Sequence, residues 1–282
     1  MSTAATRGAQ ATLLDPQKKR RKVSPYWITA ALFPAILLVW FVATQLEVLH
    51  PILLPGPEAV LTSIPRVLGS ETFGIHASRT LIETLAGFAL GAAVGFLLGL
   101  LLGSSSVLRA AYLPALSALE AVPTVIIAPL IIAWFGFGIE GKAVQAAIAC
   151  FYAVFITTLS GLSLANANSV SLMQSLGASK IQTLLKLRVP SALPVIFGGL
   201  QLGATTAIIG AIVSEFVGAD AGLGFLLLRY RSSYDTPAAW VLILCFLVIG
   251  VSAYLLISFA EKRIVFWRST AISRPDLEKN DN

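Results

Sequence analysis

The residue pattern in this sequence that comes closest to known chemistry is a glycine-rich stretch ending in lysine. Gly136-Phe-Gly-Ile-Glu-Gly141-Lys142 matches G-x-x-x-x-G-K, the start of a phosphate-binding loop. Ala143 follows, where a Ser or Thr is needed to hold Mg²⁺, and an apolar segment stands where a strand should precede the glycines. We interpret the stretch as a turn between two apolar segments, so the chain shows no ATPase motif of its own.

Metal and nucleophile chemistry have equally few candidates. His50 and His76 share one loop and have no third ligand at metal-binding spacing, so we expect both to be surface residues and no metal to be bound. Cys150 and Cys245 lie inside apolar runs and form no C-x-x-C pair. We expect no catalytic residue and no cofactor bound by this chain.

Three acidic residues lie in or beside apolar segments, where an ionisable group is costly and usually faces a cavity or a partner. Glu120 is the deepest, and Pro123 follows it closely, where a proline can kink a helix. Glu120, Pro123 and Glu215 are therefore candidates for a translocation pathway, although Glu120 could instead bond to a neighbouring helix. Glu83 and Glu215 lie near segment ends, which predicts a solvated or interfacial role.

The composition of the chain indicates that a membrane surrounds most of these residues. Of 282 residues, 56% are hydrophobic and 12% are charged, and the mean hydropathy is +0.82. Soluble domains carry about 25% charged residues, so the composition excludes an ordinary soluble enzyme, a disordered protein and a nucleic-acid binder. Six stretches approach the roughly 20 apolar residues that a membrane helix needs: Tyr26–Gln45, Leu81–Gly103, Tyr112–Phe135, Val144–Leu164, Leu193–Val217 and Ala238–Ala260. The predicted fold is an all-α polytopic membrane protein with about six transmembrane helices.

The distribution of lysine and arginine predicts the orientation. Fifteen of the 20 basic residues fall on the side that carries both termini, which predicts that both termini are cytoplasmic. The run Lys18–Lys22 resembles a nuclear signal or a nucleic-acid patch, but we interpret it as an anchor beside the first membrane helix. The predicted divisions are a basic, disordered arm (1–24), the first helix with an outer loop and an interfacial helix (25–74), a transmembrane domain (75–265) and a cytoplasmic tail (266–282).

Five glycines recur at a spacing of four along the second apolar segment. A stripe of residues without side chains lets another helix backbone approach closely. The pattern predicts tight helix packing, either within one subunit or between two copies. The stripe consists of Gly87, Gly91, Gly95, Gly99 and Gly103.

The segment from Ala165 to Pro190 is long for a link between two membrane helices. Its first half presents an apolar face, Gly177-Ala178 interrupts it, and Ser179 with Gln182 has the spacing of a helix capping box. We predict a helix–turn–helix that Pro190 ends, with an apolar face that must dock against a partner or lie in the membrane interface. This apolar face and its turn comprise Leu172, Met173, Leu176, Gly177, Ala178, Ser179, Ile181, Leu184, Leu185, Leu187 and Pro190.

The spacing from Gly177 to Leu187-Arg188-Val189-Pro190 resembles the signature loop of permease subunits of ATP-binding-cassette importers. In that family the loop reads Glu-Ala-Ala, three residues, Gly, nine residues, Ile, any residue, Leu-Pro. Here Ser171-Leu172-Met173 replaces Glu-Ala-Ala. Trp134–Gly138 and Gly210–Gly224 resemble the branch for nitrate, sulfonates, taurine and pyrimidine precursors. The resemblance implies a type I importer fold and identifies residues 165–190 as the coupling segment that contacts an ATPase.

The resemblance also implies the partners of the chain and its cellular location. These are a second permease copy in a homodimer, two ATPase subunits that hold ATP and Mg²⁺, an extracytoplasmic substrate-binding protein and the lipid of a bacterial inner membrane. The solute would be a nitrogen heterocycle or a small anion such as a sulfonate, taurine, nitrate or bicarbonate. A stand-alone ion-coupled carrier or channel, and less favoured a membrane-embedded enzyme, are the alternatives that the residues leave open.

Overall fold

The computed structural model describes residues 25–46, 48, 50 and 52–267, which form helices and turns with no strand among them. The chain divides into two units, 1–51 and 52–282. The first unit contains α1 (Pro25–Gln45). The second contains α2 (Pro57–Leu68), α3 (Phe73–Ser104), α4 (Ser106–Glu120), α5 (Thr124–Phe135), α6 (Ile139–Leu162), α7 (Ala167–Ser175), α8 (Lys180–Thr183), α9 (Val189–Val217), α10 (Leu223–Ser232) and α11 (Thr236–Ile264).

The prediction of an all-helical membrane protein is confirmed. Within the described residues, α3, α6, α11 and the run Lys180–Val217 are long and apolar enough to cross a membrane. Shorter apolar helices cover Pro34–Gln45, Val107–Ala118 and Thr124–Phe135. The predicted basic arm and residues 268–282 of the predicted tail lie outside the described residues.

The third predicted segment, Tyr112–Phe135, is wrong as a single helix. The chain leaves the helix after Glu120 and re-enters it at Thr124, with Pro123 as the preceding cap residue. A proline disfavours helical backbone in the residue before it and has no N–H to donate, so helices commonly end just ahead of it. Glu120 is consequently the last residue of α4 and is exposed, not deep within a long helix.

The core of the second unit is the packing of α3 and α9 against α6 and against each other. The glycine stripe of α3 faces α6: a Cβ on Gly91 would lie 2.9 Å from the Cα of Ala147, and one on Gly99 would lie 2.6 Å from the Cβ of Thr158. Gly210 of α9 approaches α6 as closely. These glycines therefore pack against helices of the same chain. Residues without side chains allow the helix backbones to approach each other this closely.

The predicted short helix of the outer loop is α2, which begins with a proline, as helices often do. Its Val60 and Val67 are buried, and α2 packs against α11. Arg66 donates to both carboxylate oxygens of Asp235, at 2.6 and 3.0 Å, beside the start of α11. This guanidinium holds the pKa of Asp235 below its ordinary value, and the same bond raises the pKa of Arg66.

Candidate functional site

The coupling segment, residues 165–190, begins with a well-capped helix. The Asn166 side chain accepts hydrogen bonds from the backbone N–H groups of Asn168 and Ser169, which satisfies two donors at the start of α7. Gly177 ends the helix with a φ of +79°, a conformation that favours glycine. Its amide and that of Ala178 donate to carbonyls within α7, so the turn between the two helices is fixed locally.

The second half of the segment starts with the capping box that the sequence predicts. Ser179 Oγ accepts from the Gln182 amide at 3.2 Å, and Gln182 Oε1 accepts from the Ser179 amide at 2.8 Å. The prediction that Pro190 ends this helix is wrong. A π-helical turn, Leu184–Arg188, joins α8 to α9, and the Val189 amide donates to the Leu184 carbonyl five residues back. The wider turn accommodates a proline that lacks an N–H and would crowd the carbonyl four residues earlier.

The apolar residues of the coupling segment separate into an exposed set and an anchored set. Leu172, Leu176, Ile181 and Leu185 are 61%, 76%, 69% and 57% exposed; we call these four residues the ridge. The anchored set is half-buried and consists of Met173, Ala178, Leu184, Leu187 and Pro190. Leu184 packs against the core cluster of Leu162, Ala192 and Ile196. The segment is therefore tied to α6 and α9 while its ridge has no described residues covering it.

At the opposite end of α9, the ionic side chains of Lys142, Glu83 and Glu215 are buried. Lys142 and Glu83 are both 0% exposed, with Lys142 Nζ 3.2 Å from Glu83 Oε1. The Arg79 Nε–H donates to the same oxygen at 2.9 Å. The predicted solvated role of Glu83 and Glu215 is wrong, and Lys142 lies in the first turn of α6 rather than in a loop. The glycine-rich stretch is still a turn, because Gly136 has a φ of +81° between α5 and α6.

Glu215 caps the next helix instead of facing solvent. Its carboxylate accepts from the Thr80 hydroxyl at 2.6 Å and from the Gly224 amide. The Leu223 amide donates to Thr80 Oγ1 at 2.8 Å. A carboxylate at a helix N-terminus satisfies free N–H groups and complements the helix dipole. Glu215 and Thr80 thus fix the start of α10 to α3 and α9.

His76 extends the same cluster. The prediction that it lies on the surface is wrong: it is buried, and its Nδ1 accepts from the Gly222 amide at 3.0 Å. Gly222 has a φ of +128°, and a Cβ there would meet the Glu215 carboxylate, so only glycine fits. We call His76, Arg79, Thr80, Glu83, Lys142 and Glu215 the buried polar cluster; Arg79, with 29% of its side chain exposed, lies at its edge.

Sequence reasoning missed this cluster, although one signal was present. Glu83 lies four residues before Gly87, and Arg79 lies four before Glu83. Both therefore continue the glycine stripe, which faces α6. Extending the spacing by two turns would have placed Glu83 in the helix interface. The sequence does not reveal Lys142 as the partner of Glu83, because Lys142 ends a glycine-rich stretch that is interpreted as a turn.

The predicted pathway residues do not come together. Glu120 and Pro123 are exposed at the break between α4 and α5, whereas Glu215 is buried with both carboxylate oxygens bonded. No group of three His, Cys, Asp or Glu residues that could hold a metal ion occurs in the described part of the chain.

Comparisons with known proteins agree with this architecture. The formylaminopyrimidine transport permease protein ThiX of Halalkalibacterium halodurans is 30% identical over 84% of this chain and 94% of its own length. The taurine transport system permease protein TauC of Escherichia coli is 28% identical over 82% of this chain and 86% of its own length. A solved inward-facing MetNI methionine ABC transporter chain, 20% identical, matches with a TM-score of 0.57 over 70% of this chain and 94% of its own, which supports the fold.

The family comparison covers the helices that carry both the ridge and the buried polar cluster's Lys142 and Glu215. Residues 91–266, well over half of the chain, match one family of transport proteins. That assignment makes the chain a transport subunit whose ATPase is a separate chain. The chain belongs to the binding-protein-dependent transport system inner membrane components, the permeases of ABC importers.

Proposed function

We propose that this chain forms a translocation path with a second copy of itself, and that two ATPase subunits drive it through the coupling segment. The coupling segment and both termini lie in the cytoplasm of a bacterial cell, as the distribution of Lys and Arg favours. ATP and Mg²⁺ are held by the ATPase subunits. A binding protein delivers the solute at the opposite face.

The observation that carries this proposal is the ridge. Its four apolar side chains are more than half exposed, on or directly after α7 and α8, which are capped and joined by a fixed glycine turn. An exposed apolar surface held by a rigid scaffold is typical of a docking site. Leu184 and Thr183, on the side facing the core, are packed inward, so the segment presents its apolar side chains outward while remaining attached to the membrane helices.

The helix that follows the ridge can transmit its movement. The run Lys180–Val217 is continuous across the π-helical turn, and packed helices move as units rather than deforming gradually. At its far end, Glu215 is bonded to the start of α10 and to α3. Displacement of the ridge would therefore reach the opposite face, where the solute enters.

The transported solute is small, and its class is a nitrogen heterocycle such as a pyrimidine precursor or a small anion such as taurine. Relatives named for formylaminopyrimidine and for taurine support these two classes. Glu120 and Pro123 are exposed at the break between α4 and α5, and they are the pathway residues that a solute would contact. Glu215 has a capping role instead.

The test is the retention of the ATPase by ridge variants. Leu176→Gln with Ile181→Gln should weaken ATPase binding about 100-fold, because burying each side chain on docking contributes roughly 1.5 kcal/mol. Ile264→Gln is the matched control, since Ile264 is 50% exposed at the end of α11, outside the coupling segment. Co-purification with the ATPase subunit and ATP-dependent uptake of labelled formylaminopyrimidine or taurine into proteoliposomes are the two measurements.

The result that refutes the proposal is equally definite. If the ridge variant retains the ATPase as well as the control does, the ridge is not the docking site. Uptake at the wild-type rate with no ATPase subunit present would instead support a stand-alone carrier.

A further inference from the structure

A cavity lies between the coupling segment and the adjacent ends of α3 and α4. It has a volume of about 590 Å³, and its walls include Ser104, Ser105, Lys180 and Arg188. A second cavity of about 420 Å³ adjoins it through the same two serines and Arg188, and adds Arg109 and Ser163 to the walls. The two cavities together form a polar space; we call it the basic cavity.

The walls of the basic cavity carry positive charge without compensation. Arg109, Lys180 and Arg188 line it, and no acidic residue is among the lining residues. Arg109 donates to the Ser163 hydroxyl at 2.8 Å, which orients its guanidinium. Arg188 and Lys180 form no ion pair with the described residues. Two guanidinium groups and several hydroxyls match the oxygens of a phosphate group.

The surroundings of Arg109 are apolar on one side, which favours an amphiphile over a free phosphate ion. Arg109 also lines an apolar cavity of about 290 Å³ with Leu113 and Pro114. Val107, in the wall of the basic cavity, is 75% exposed. A free phosphate ion has no use for these apolar surfaces, whereas the glycerol and acyl chains of a lipid would cover them.

We propose that the basic cavity binds the headgroup of an anionic phospholipid, with its phosphate between Arg109 and Arg188. The leaflet concerned is the cytoplasmic one, which rests on the orientation in the proposed function. The lipid connects α4 to the π-helical turn of the coupling segment, so its occupancy would hold the coupling segment against the membrane helices. Nothing in this role requires the lipid to be transported.

The test measures phosphatidylglycerol binding to the purified complex of the full-length chain with its ATPase subunits. Native mass spectrometry in detergent gives the apparent affinity, with phosphatidylcholine, whose choline offsets the phosphate charge, as the comparison without net charge. Arg109→Gln with Arg188→Gln should weaken phosphatidylglycerol binding about 25-fold, because each cation near an anionic surface contributes roughly a factor of five. Lys262→Gln with Arg263→Gln removes two cations from the end of α11 and should change it less than about threefold.

Two further arms separate the sources of phosphate and the effects of misfolding. Glycerol 3-phosphate should fail to displace the lipid at about 100 times its concentration, since it lacks the apolar part. Arg109→Lys should retain most of the binding, because it keeps the charge. The thermal unfolding temperature of every variant is measured in the same detergent without phosphatidylglycerol. Only variants that unfold at the wild-type temperature are compared, so that loss of fold is not scored as loss of binding.

Three results would overturn the lipid site. The first is equal phosphatidylglycerol affinity in the Arg109/Arg188 variant and the wild type. The second is displacement by equimolar glycerol 3-phosphate or inorganic phosphate. The third is release of the lipid when the ATPase subunits bind, which would make the cavity part of the protein interface. Lipid binding to the permease alone remains measurable if no ATPase associates, so this proposal and the proposed function fail separately.

Discussion

The buried ion pair between Lys142 and Glu83 leads to the sharpest quantitative prediction. Their atoms are 3.2 Å apart and both side chains are fully buried. Removing Glu83 leaves Lys142 with an uncompensated buried charge, and removing Lys142 leaves Glu83 paired with the half-buried Arg79 alone among the described residues; breaking a buried pair costs about 3–5 kcal/mol. We expect Lys142→Met and Glu83→Gln each to lower the free energy of unfolding by about 3 kcal/mol.

The double variant should lose no more than either single variant, because it leaves neither Lys142 nor Glu83 charged and unpaired, and Arg79, which also loses Glu83, is 29% exposed to solvent. The coupling energy of the double-mutant cycle is then at least about 3 kcal/mol. The exposed pair Arg66–Asp235, with side chains 57% and 25% exposed, is the matched control. Solvent screens that pair, so Arg66→Met with Asp235→Asn should give a coupling energy of less than about 1 kcal/mol.

The assay is equilibrium unfolding of the purified chain in mixed micelles by increasing fractions of denaturing detergent, followed by tryptophan fluorescence. The four variants of each cycle are compared in the same micelle, so that differences in detergent cancel. Additive losses at Lys142 and Glu83, within about 0.5 kcal/mol, would show that the two charges are independent. The reasoning about the buried polar cluster would then be refuted.

Three further predictions test the packing, the turn and the exposed ion pair. Gly91→Ala should destabilise the fold by about 1–3 kcal/mol, whereas Gly198→Ala, with nothing within 4 Å of its added carbon, should not; thermal unfolding distinguishes them. Gly177→Ala and Gly136→Ala replace glycines of similar positive φ and should each cost about 1–2 kcal/mol, but only the former should weaken ATPase binding in the co-purification assay. For Asp235, the folded-state pKa lies below the unfolded value of about 3.9, so its contribution is present above that pH and is lost as the pH falls through the folded value. The stability difference between wild type and Asp235→Asn should therefore shrink below about pH 4, and a constant difference from pH 7 to pH 3 would contradict this.

Continuous apolarity and local capping account for what the sequence could predict. Stretches of about 20 apolar residues cannot satisfy their backbone groups in lipid except as helices, so the membrane segments follow from composition. The capping box at Ser179 and the glycine at 177 depend on neighbours within a few residues, and they appear in the structure as expected. Features of this kind can be predicted from the sequence because the residues that interact are only a few positions apart.

The prolines show where this reasoning fails. Pro123 breaks a helix, Pro190 is absorbed by a π-helical turn, and Pro194 lies within α9 without ending it. Each proline lies in or beside an apolar segment. What differs is the packing on either side: Leu184 is held against Ile196 and Leu162, which favours a continuous helix even at the cost of one widened turn.

The buried polar cluster could not be located from residue types because its members come from three helices that are distant in sequence. Their proximity depends on the glycine stripe of α3, which brings α6 close enough for Lys142 to reach Glu83. The glycine stripe and the ion pair therefore act together. The small residues set the distance between α3 and α6, and the Glu83–Lys142 pair fixes the register of one helix against the other. Because α9 carries the ridge's attachment at one end and Glu215 at the other, loosening the register at Glu83 should weaken the connection between the coupling segment and α10 as well as the fold.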